Sequence, residues 1–556
     1  MKVYHFDQFF DPKTYQNMAK PKLSSVKGHI LSVVITLLVF AITYYVSHPV
    51  LNLHDHGSVI YIVFHLLIFA GLEFMTHGYM PKIGKLAGAL SGIIVLAMIV
   101  LTVASAAFFR SGDYHKQLKM DETAKFDKDF KTIEMSKVPL IDYDVAKQLG
   151  DKKMGQVTAL GSQYEVSDQY TLISVKGELY RVSPLEYRDF FKWFQNNDKG
   201  IPGYIKVNVT DPDDVELVEL KKGMKYAPSA YFNQNMERHV RFSYPMEQIT
   251  DYSFELNDEG KPYWVISTFH QEVGFYGGNS ANGVILLDPV SGDMKKYDLK
   301  DVPKWVDRVQ PSEFALNQLE NWGLYVNGYF NTLFGQKDML KVTDGHNYVT
   351  IDGQTNLFTG VTSVGGDKSI VGFALINLKT KEANFFKVNG ADEASAMSSA
   401  EGEVQNLRYN ATFPIMLNIA DRPTYFISLK DQAGLVKKYA FVSVENYSTV
   451  GVGDTVGKAR DSYVQRLRDA GNEVAEEEKA TTDSTAVIAS INTAIKDGNS
   501  TYYITLEGDD HLYVVPIKLS NELALTKPGQ KVKITYEKSK EKTVLAEKFD
   551  NLDLQY

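Results

Sequence analysis

The chain has 556 residues, and its 59 Lys and Arg against 68 Asp and Glu give a formal net charge of −9. The acidic excess lies after Arg110: eight basic and four acidic residues precede or include this position, and 51 basic and 64 acidic residues follow it. This balance argues against phosphate-backbone binding as the main activity, so we expect no nucleic-acid partner. The absence of cysteine excludes disulfides, thiolate metal sites and a cysteine nucleophile.

Three apolar segments near the N-terminus predict transmembrane helices. Residues 29–47 and 87–109 contain no Lys, Arg, Asp or Glu, and residues 58–76 contain a single acidic residue, Glu73. Each segment is about long enough to cross a hydrocarbon core of about 30 Å. A cleaved signal peptide does not fit, because the first apolar segment starts late and a second follows at once. The sequence therefore predicts a multi-pass membrane protein with membrane lipid as a partner.

The orientation follows from the lysines in the short flanking segments. The N-terminal tail, residues 1–28, has five lysines and the second connection has two, whereas the first connection has none. Three basic residues just after the third helix oppose this asymmetry, but long domains are translocated largely regardless of such charges. We therefore expect the tail to be cytoplasmic and the large region after about residue 110 to be extracytoplasmic, at the cell membrane.

Three ionisable residues, His65, Glu73 and His77, lie on the second predicted helix. Their spacing places them within about 120° of one another around a helix. Intramembrane ionisable residues usually face protein rather than lipid, so one interpretation is a proton or metal relay, or a polar contact to a partner subunit. The alternative is that Glu73 and His77 lie near the cytoplasmic interface and are hydrated.

The first connection clusters His48, His54, Asp55 and His56. Imidazole and carboxylate groups suit zinc or copper, which makes the three histidines candidate metal ligands. A His-x-His pair in a short loop is nevertheless common without a further pair of ligands. We therefore expect no physiological metal there, and the sequence predicts no cofactor.

Residues 110–165 are charged and predict a helical stalk or linker, or a helix packed on the main part of the protein. Phe126, Phe130 and Ile133 recur at i, i+4 and i+7, which is typical of an amphipathic helix. From about residue 166 the pattern changes to short β runs. Two of these runs flank Lys176 and Gly177, which predicts a hairpin.

A helix with a buried aromatic face is predicted after this hairpin. Ser183 can cap it, Pro184 fits its first position and Glu186 completes a capping box. Four aromatic residues follow at i, i+3, i+4 and i+7, a spacing that indicates core packing: Tyr187, Phe190, Phe191 and Phe194.

A weak internal repeat predicts the architecture of residues 166–468. Each copy reads as a strand pair, a second strand pair and a helix. The second strand pairs are residues 283–299, 372–388 and 439–456. The helices are predicted at residues 312–322, 391–401 and 456–468. Stacked copies with helices on one face would bury a core, so the predicted fold class is α+β, with repeated units of antiparallel β-sheet and helix.

The third copy contains the glycine-rich stretch VGVGDTVGKA, residues 450–459. A phosphate-binding P-loop needs four residues between its first glycine and the Gly-Lys pair, followed by Ser or Thr. Here Gly453 and Gly457 enclose three residues and Ala459 follows Lys458, and the spacing for dinucleotide binding fails too. We therefore expect these glycines to shape a strand end and the entry to a helix, and we expect no nucleotide partner.

The C-terminal part is predicted to be a separate module. Residues 469–487 are acidic and poor in large apolar side chains, which indicates a linker. Residues 488–556 contain four strand signals separated by turns, which is typical of a small β-barrel of the oligonucleotide/oligosaccharide-binding (OB) type. Its nine Lys against ten acidic residues argue against a nucleic-acid ligand.

One repeat copy resembles a known family of extracytoplasmic modules. Lys261-Pro262-Tyr263-Trp264, followed by a strand ending in Asp288-Pro289-Val290-Ser291-Gly292-Asp293, is similar to PepSY modules. The second copy departs from that pattern, since residues 377–382 lack the Asp and the Gly. The resemblance implies a binding or inhibitory module without catalytic residues. The overall layout also resembles membrane-anchored proteins of low-GC Gram-positive bacteria.

Motifs of common catalytic sites are absent from the sequence, including HExxH and GxSxG. We therefore predict a membrane-anchored, non-catalytic binding or scaffold protein of the bacterial cell envelope. We expect it to form a homo-oligomer or to bind other envelope proteins, because small residues in the third helix allow close helix packing. Two alternatives remain open: an envelope hydrolase acting on glycan or peptide through dispersed carboxylates, and a transport or relay subunit using the intramembrane His and Glu.

Overall fold

The computed structural model describes most of the chain and divides it into two compact units, Met1–Asn472 and Glu473–Tyr556. The described residues are 25–131, 135–351, 353–365, 369–472, 481–496, 499–537 and 542–554. The predicted cytoplasmic tail therefore lies outside them, apart from its last four residues. We call residues 105–472 of the first unit the body.

Three long antiparallel helices open the described chain: Ser25–Ser47, His56–His77 and Lys82–Ala104. All three are long and apolar enough to cross a membrane, as predicted. The second helix packs against both others. Its N-cap is Asp55, whose carboxylate accepts from the backbone N–H of Ser58 at 2.6 Å. Its C-cap is Gly78, in the left-handed conformation that glycine adopts without strain.

Four antiparallel sheets, numbered I to IV in chain order, form most of the body. Sheet I contains five strands: Tyr164–Val166, Thr171–Val175, Glu178–Tyr187, Ile201–Asn208 and Val215–Met224. The hairpin at Lys176 and Gly177 is confirmed, and both turn residues have positive φ, as in tight two-residue turns. Sheet II is a four-stranded meander: Ile249–Leu256, Pro262–Val273, Gly277–Leu287 and Met294–Asp298.

Sheets III and IV continue the same pattern. Sheet III has six strands: Met120–Asp121, Leu340–Val342, Asn347–Ile351, Gln354–Ser363, Gly372–Asn377 and Ala383–Phe386. Sheet IV has five strands: Asn410–Ala411, Ile415–Ile419, Arg422–Lys430, Val436–Ser443 and Val450–Gly453. A separate two-stranded ladder joins Ser369–Ile370 to Gly390–Ala391. The predicted repeat of antiparallel sheet and helix is confirmed in sheets II, III and IV.

The helices after the last three sheets are Ser312–Leu324, Glu393–Glu403 and Val456–Asp469. The first of them packs Ala315, Leu319 and Trp322 into the core of sheet III rather than sheet II. The second contacts strands of sheet IV, and the third also covers sheet IV. Sheet IV is therefore covered by two helices. The helix of each of the first two copies thus packs on the sheet of the next copy.

Residues 110–165 were predicted as a stalk or linker or as a helix packed on the main part of the protein, and their described part is packed into the body. Its first strand, Met120–Asp121, pairs in parallel with sheet III. Phe126 and Phe130 stack at 4.8 Å and are buried against aromatic residues of that sheet, although the helix that holds Phe126 ends at Asp129. Ile133 lies outside the described residues. Helices and 3₁₀ turns complete the segment: Ala107–Lys116, Phe126–Asp129, Met135–Lys137, Tyr143–Gly155 and Thr158–Gly161.

The predicted aromatic helix differs from the expectation. Residues Ser183 to Tyr187 belong to a strand of sheet I, and the helix spans only Phe190–Asn196 with Asp189 as its N-cap. The strand prevails because its register in the sheet buries Val182 and Leu185 completely. The aromatic face is also not core: Phe191 and Phe194 are 70% and 64% exposed.

Short helical segments complete the body. They are Phe232–Gln234, Met236–Ser243, Leu299–Asp301, Asn331–Gly335 and Gln405–Leu407.

The second unit is a closed five-stranded barrel, as predicted for the C-terminal module. Its strands are Thr481–Lys496, Asn499–Leu506, Leu512–Pro516, Lys531–Glu537 and Thr543–Asn551, with short 3₁₀ turns at Ile517–Leu519 and Asn521–Ala524. The first strand pairs with both the second and the fourth, which closes the barrel. Residues 481–487 were predicted to be linker, but they form the first half of this long strand.

Candidate functional site

The helical bundle brings Glu73 and His77 together with His29 at the end that bears the N-terminus. His29 Nδ1 lies 2.6 Å from Glu73 Oε2, and His77 Nδ1 lies 3.8 Å from the same oxygen. The candidate ligand atoms of the three residues all lie within 4.8 Å of one another. Glu73 is completely buried, and its Oε1 has no hydrogen-bond partner among the described residues.

Two glycines allow this cluster to form. A Cβ atom on Gly28 would lie 2.7 Å from the His77 ring, and one on Gly84 would lie 3.0 Å from Glu73 Cβ. Larger residues at either position would separate the helices just where the polar side chains meet. His29 belongs to the first turn of the first predicted apolar segment. His29 could have been predicted from the sequence, because the start of the first helix lies beside the end of the second helix when the two helices are antiparallel.

His65 lies on the same helix but outside this cluster. Its Nδ1 lies 2.8 Å from the carbonyl oxygen of Tyr61, and its Nε2 lies 3.1 Å from Thr43 Oγ1. Since a carbonyl oxygen can only accept, Nδ1 carries a proton, and both ring nitrogens are occupied by neighbours within the bundle. The predicted set of three therefore divides into two separate environments.

The histidines of the first connection attach the helices to the body. His54 Nδ1 lies 2.9 Å from the carbonyl oxygen of Phe275, and its ring stacks on Phe275. His56 stacks on Tyr276 and lies 2.8 Å from Thr102 Oγ1. His48 lies 3.6 Å from a carboxylate oxygen of Glu237. Each candidate ligand thus has a different partner, and the three are not grouped as a metal site.

A cavity of about 450 Å³ lies where strands of all four sheets meet in the body. Its walls carry aromatic, basic and acidic groups, the acidic ones being Asp142, Asp168 and Asp251. Those that bear on its chemistry are Tyr143, Arg181, Tyr252, Arg308, His346 and Tyr348. They come from distant parts of the sequence, and none of them was predicted to belong to a site.

Arg181 is the most unusual group of this cavity. It is buried at 9% exposure, and its Nε donates to the carbonyl oxygen of Ile141 at 3.4 Å. Burial lowers the pKa of its guanidinium to about 10, although the nearby carboxylate of Asp142 opposes this shift. Within the described chain no carboxylate forms an ion pair with Arg181. The carboxylate of Asp142 instead accepts from the backbone N–H of Val145 and forms an ion pair with the ammonium of Lys430.

Arg308 extends the positive character of the cavity. Its guanidinium lies 5.5 Å from the ring centroid of Tyr348 and 4.0 Å from the carboxylate of Asp251, a long distance for an ion pair. Burial, and then the charge of Arg308, lower the pKa of His346. His346 is therefore predominantly neutral at pH 7 and can accept a proton or donate a hydrogen bond.

A pair of carboxylates with raised pKa exists in the body, but it does not line this cavity. Burial raises the pKa of both Glu255 and Asp307, and the charge of Glu255 adds to the shift of Asp307. Glu255 Oε2 accepts from the backbone N–H of Asp307 at 2.8 Å, and Asp307 accepts from the backbone N–H of Ser174 at 2.7 Å. Their exposed fractions are 0% and 5%, so neither carboxylate is accessible to a substrate.

Exposed aromatic side chains surround the body ends of the first and third helices. Phe108 follows the third helix and contacts Tyr329 and Phe330, and Phe334 nearby is 82% exposed. At the first helix, the Arg238 guanidinium stacks on the Tyr45 ring and donates to the backbone oxygen of Phe232. Phe232 in turn adjoins Phe190 and its exposed neighbours: Phe191 and Phe194.

Two comparisons with known proteins find no match. No protein-family model matches the chain, and no curated protein sequence matches it. The similarity to PepSY modules therefore remains a prediction from the quoted residues. The geometry of the sites themselves has to support any assignment of function.

Proposed function

We propose that this chain is a multi-pass membrane protein whose body lies outside the cytoplasm and binds a small anionic ligand in the central cavity. The observation that carries the proposal is the buried guanidinium of Arg181, which lines the cavity of about 450 Å³ and has no ion-pair partner among the described residues. In this role the protein is a binding protein rather than an enzyme.

The energetics of Arg181 favour an anion. An arginine that leaves water loses hydration worth several kcal/mol, and this loss is normally offset by a hydrogen-bonded carboxylate or by phosphate. The carboxylate that most opposes the shift of its pKa, on Asp142, is already held by Lys430 and by the helix that it caps. A bound carboxylate or phosphate group would accept from the terminal nitrogens of the guanidinium in the bidentate geometry that arginine favours.

The dimensions of the cavity limit the ligand to a small molecule. Ligand cavities in proteins commonly measure about 300–1,000 Å³, and a cavity of about 450 Å³ lies in the lower half of that range. The rings of Tyr252 and Tyr348 offer apolar faces beside polar hydroxyl groups. An acidic sugar or a similarly sized phosphate ester combines an anionic group with a body that such walls accommodate.

The exposed aromatic clusters support a body that rests on the membrane. Aromatic side chains are enriched where a membrane protein meets the lipid headgroups. Phe334 and Phe191 are 82% and 70% exposed and belong to clusters that adjoin the ends of membrane-spanning helices. Contact with the lipid interface would remove these rings from water. The lysine asymmetry of the flanking segments supports an outer location for this interface.

The ligand proposal is tested by thermal unfolding of the full chain in detergent. The probes are D-glucuronate, glucose 6-phosphate and uncharged glucose. We expect at least one of the two anions, but not glucose, to raise the unfolding temperature. Arg181→Gln should abolish this rise, whereas Arg188→Gln should retain it, because Arg188 is an exposed arginine paired with Glu165. Equal stabilisation by glucose, or an undiminished response of Arg181→Gln, would contradict the proposal.

The orientation is tested separately by single-cysteine labelling, which the cysteine-free chain permits without background. In intact cells a membrane-impermeant maleimide should label Asp211→Cys, an exposed position in the body. Lys13→Cys, in the predicted cytoplasmic tail, should react only after the cells are opened. The reverse pattern would place the body in the cytoplasm.

A further inference from the structure

We propose that His29, Glu73 and His77 bind one divalent transition-metal ion of the zinc class at the end of the helical bundle that bears the N-terminus. This inference is independent of the anion cavity in the body. It rests on the convergence of two imidazoles and a carboxylate from two helices, with ligand atoms within 4.8 Å of one another.

The buried carboxylate is the first reason for a cation. Glu73 is completely buried in a helix that is long and apolar enough to cross a membrane. Its Oε2 lies 2.6 Å from His29 Nδ1, but its Oε1 has no hydrogen-bond partner among the described residues. A buried carboxylate oxygen without a hydrogen-bond partner is costly, and a cation close to Oε1 would remove that cost.

The set of donor atoms defines the kind of cation. Imidazole nitrogens together with one carboxylate suit zinc and neighbouring transition metals, whereas calcium and magnesium prefer sites made of oxygen atoms. Three protein ligands leave a fourth tetrahedral position for water or another ligand, as in open zinc sites. The arrangement therefore favours a zinc-class ion.

The hydrogen bond of His77 supports its role as a ligand. Its Nδ1 lies 3.0 Å from the carbonyl oxygen of Glu73 and 3.0 Å from Thr76 Oγ1, and these contacts hold the ring beside the buried carboxylate. Metal-binding histidines commonly donate their second ring N–H to such a carbonyl, which fixes the orientation of the ring.

Binding requires a small adjustment of the first histidine. Ligand atoms about 2.1 Å from a tetrahedral zinc ion lie roughly 3.4 Å apart. The 2.6 Å contact between His29 and Glu73 would therefore widen by about 0.8 Å. His29 lies near the start of its helix and its side chain is 28% exposed, so a change of rotamer can supply this movement.

The test uses the full chain, purified in detergent, stripped of metal and equilibrated with Zn²⁺ or Co²⁺ alone. We expect one Zn²⁺ per chain by elemental analysis. We also expect the strong visible absorption of tetrahedral Co²⁺, which reports the ligand geometry directly. Glu73→Gln keeps the shape of the side chain but removes its charge, and it should weaken binding by about 10–100-fold or more.

Two further variants distinguish loss of a ligand from misfolding. His29→Ala alters a partly exposed side chain and should also weaken binding and change the Co²⁺ spectrum. The matched control His54→Ala removes a histidine of the first connection, whose partner is Phe275, and should leave stoichiometry and spectrum unchanged. The proposal is overturned if the parent chain binds neither ion, if Glu73→Gln binds as the parent does, or if binding is lost only in His54→Ala. None of these readouts depends on the anion cavity.

Discussion

Replacing Gly451 by alanine tests the close packing of the glycine-rich stretch against its helix. A Cβ atom at this position would lie 2.1 Å from the backbone nitrogen and 2.4 Å from the Cα atom of Tyr463. Both are backbone atoms of the helix Val456–Asp469, so no side-chain rotation can relieve the overlap. The helix would have to move away by roughly 1.3 Å to reach an ordinary van der Waals contact.

The magnitude follows from what this movement disturbs. Tyr463 is completely buried and its hydroxyl lies 3.0 Å from Thr424 Oγ1, so a shifted helix loosens both the packing and a buried hydrogen bond. Overpacking costs about 1–3 kcal/mol, and we expect the upper end of this range, near 3 kcal/mol. At about 2 °C per kcal/mol for a domain of this size, the unfolding temperature should fall by about 5 °C or more.

Gly457→Ala is the matched control within the same stretch. A Cβ atom there would meet nothing within 4 Å, and the residue lies in the first turn of the helix. Alanine should therefore stabilise the helix by about 0.5–1 kcal/mol. Both variants are measured by thermal unfolding of the full chain in detergent. If Gly451→Ala unfolded at the parent temperature, the close approach of strand and helix would be refuted, whatever Gly457→Ala did.

Three other predictions concern different parts of the chain. Because burial raises the pKa of Glu255 and Asp307, their contribution to stability is complete below the unfolded pKa of about 4 and is lost as the pH rises through the folded pKa. Asp307→Asn should therefore flatten the fall of the unfolding temperature with rising pH, and a curve of unchanged slope that is only shifted in temperature would contradict this. Asp509 accepts from Ser484, His511 and Tyr513 in the barrel, so Asp509→Ala should cost about 2 kcal/mol and accelerate hydrogen exchange in strands of the barrel; unchanged exchange there would refute it. A nitroxide on Phe334→Cys, in the full chain in lipid bilayers, should be more accessible to oxygen than to a water-soluble nickel complex; the opposite preference would show that this cluster faces water.

Much of the architecture could be predicted from local patterns. Uninterrupted apolar segments determine membrane helices, because the backbone must satisfy its own hydrogen bonds in lipid. Alternating apolar strands with tight turns at regular spacing indicated the repeated antiparallel sheets and the C-terminal barrel. Both kinds of signal are contained within one element and its nearest neighbours, so neither needs knowledge of distant contacts.

The misjudged elements are those in which local propensity competes with pairing. The stretch from Ser183 to Tyr187 has the capping residues of a helix, yet it completes sheet I, because a neighbouring strand satisfies its backbone and the sheet buries Leu185. Residues 481–487 are polar and resemble a linker, but the barrel needs a long first strand that pairs on both sides. Pairing partners that lie far away in sequence decided both cases.

The candidate sites divide in the same way. Glu73 and His77 could be singled out by sequence, because an ionisable residue within an apolar segment is conspicuous and the helical spacing places the two on one face. Arg181, by contrast, is one of eleven arginines in the sequence, and only the meeting of four sheets makes it a buried cation beside a cavity. Sequence alone determined which helices are long and apolar enough to cross a membrane and where most of the repeated strands lie, since these depend on local hydrophobicity. Only the tertiary structure decided which side chains lose water together, because burial is a property of contacts between distant segments.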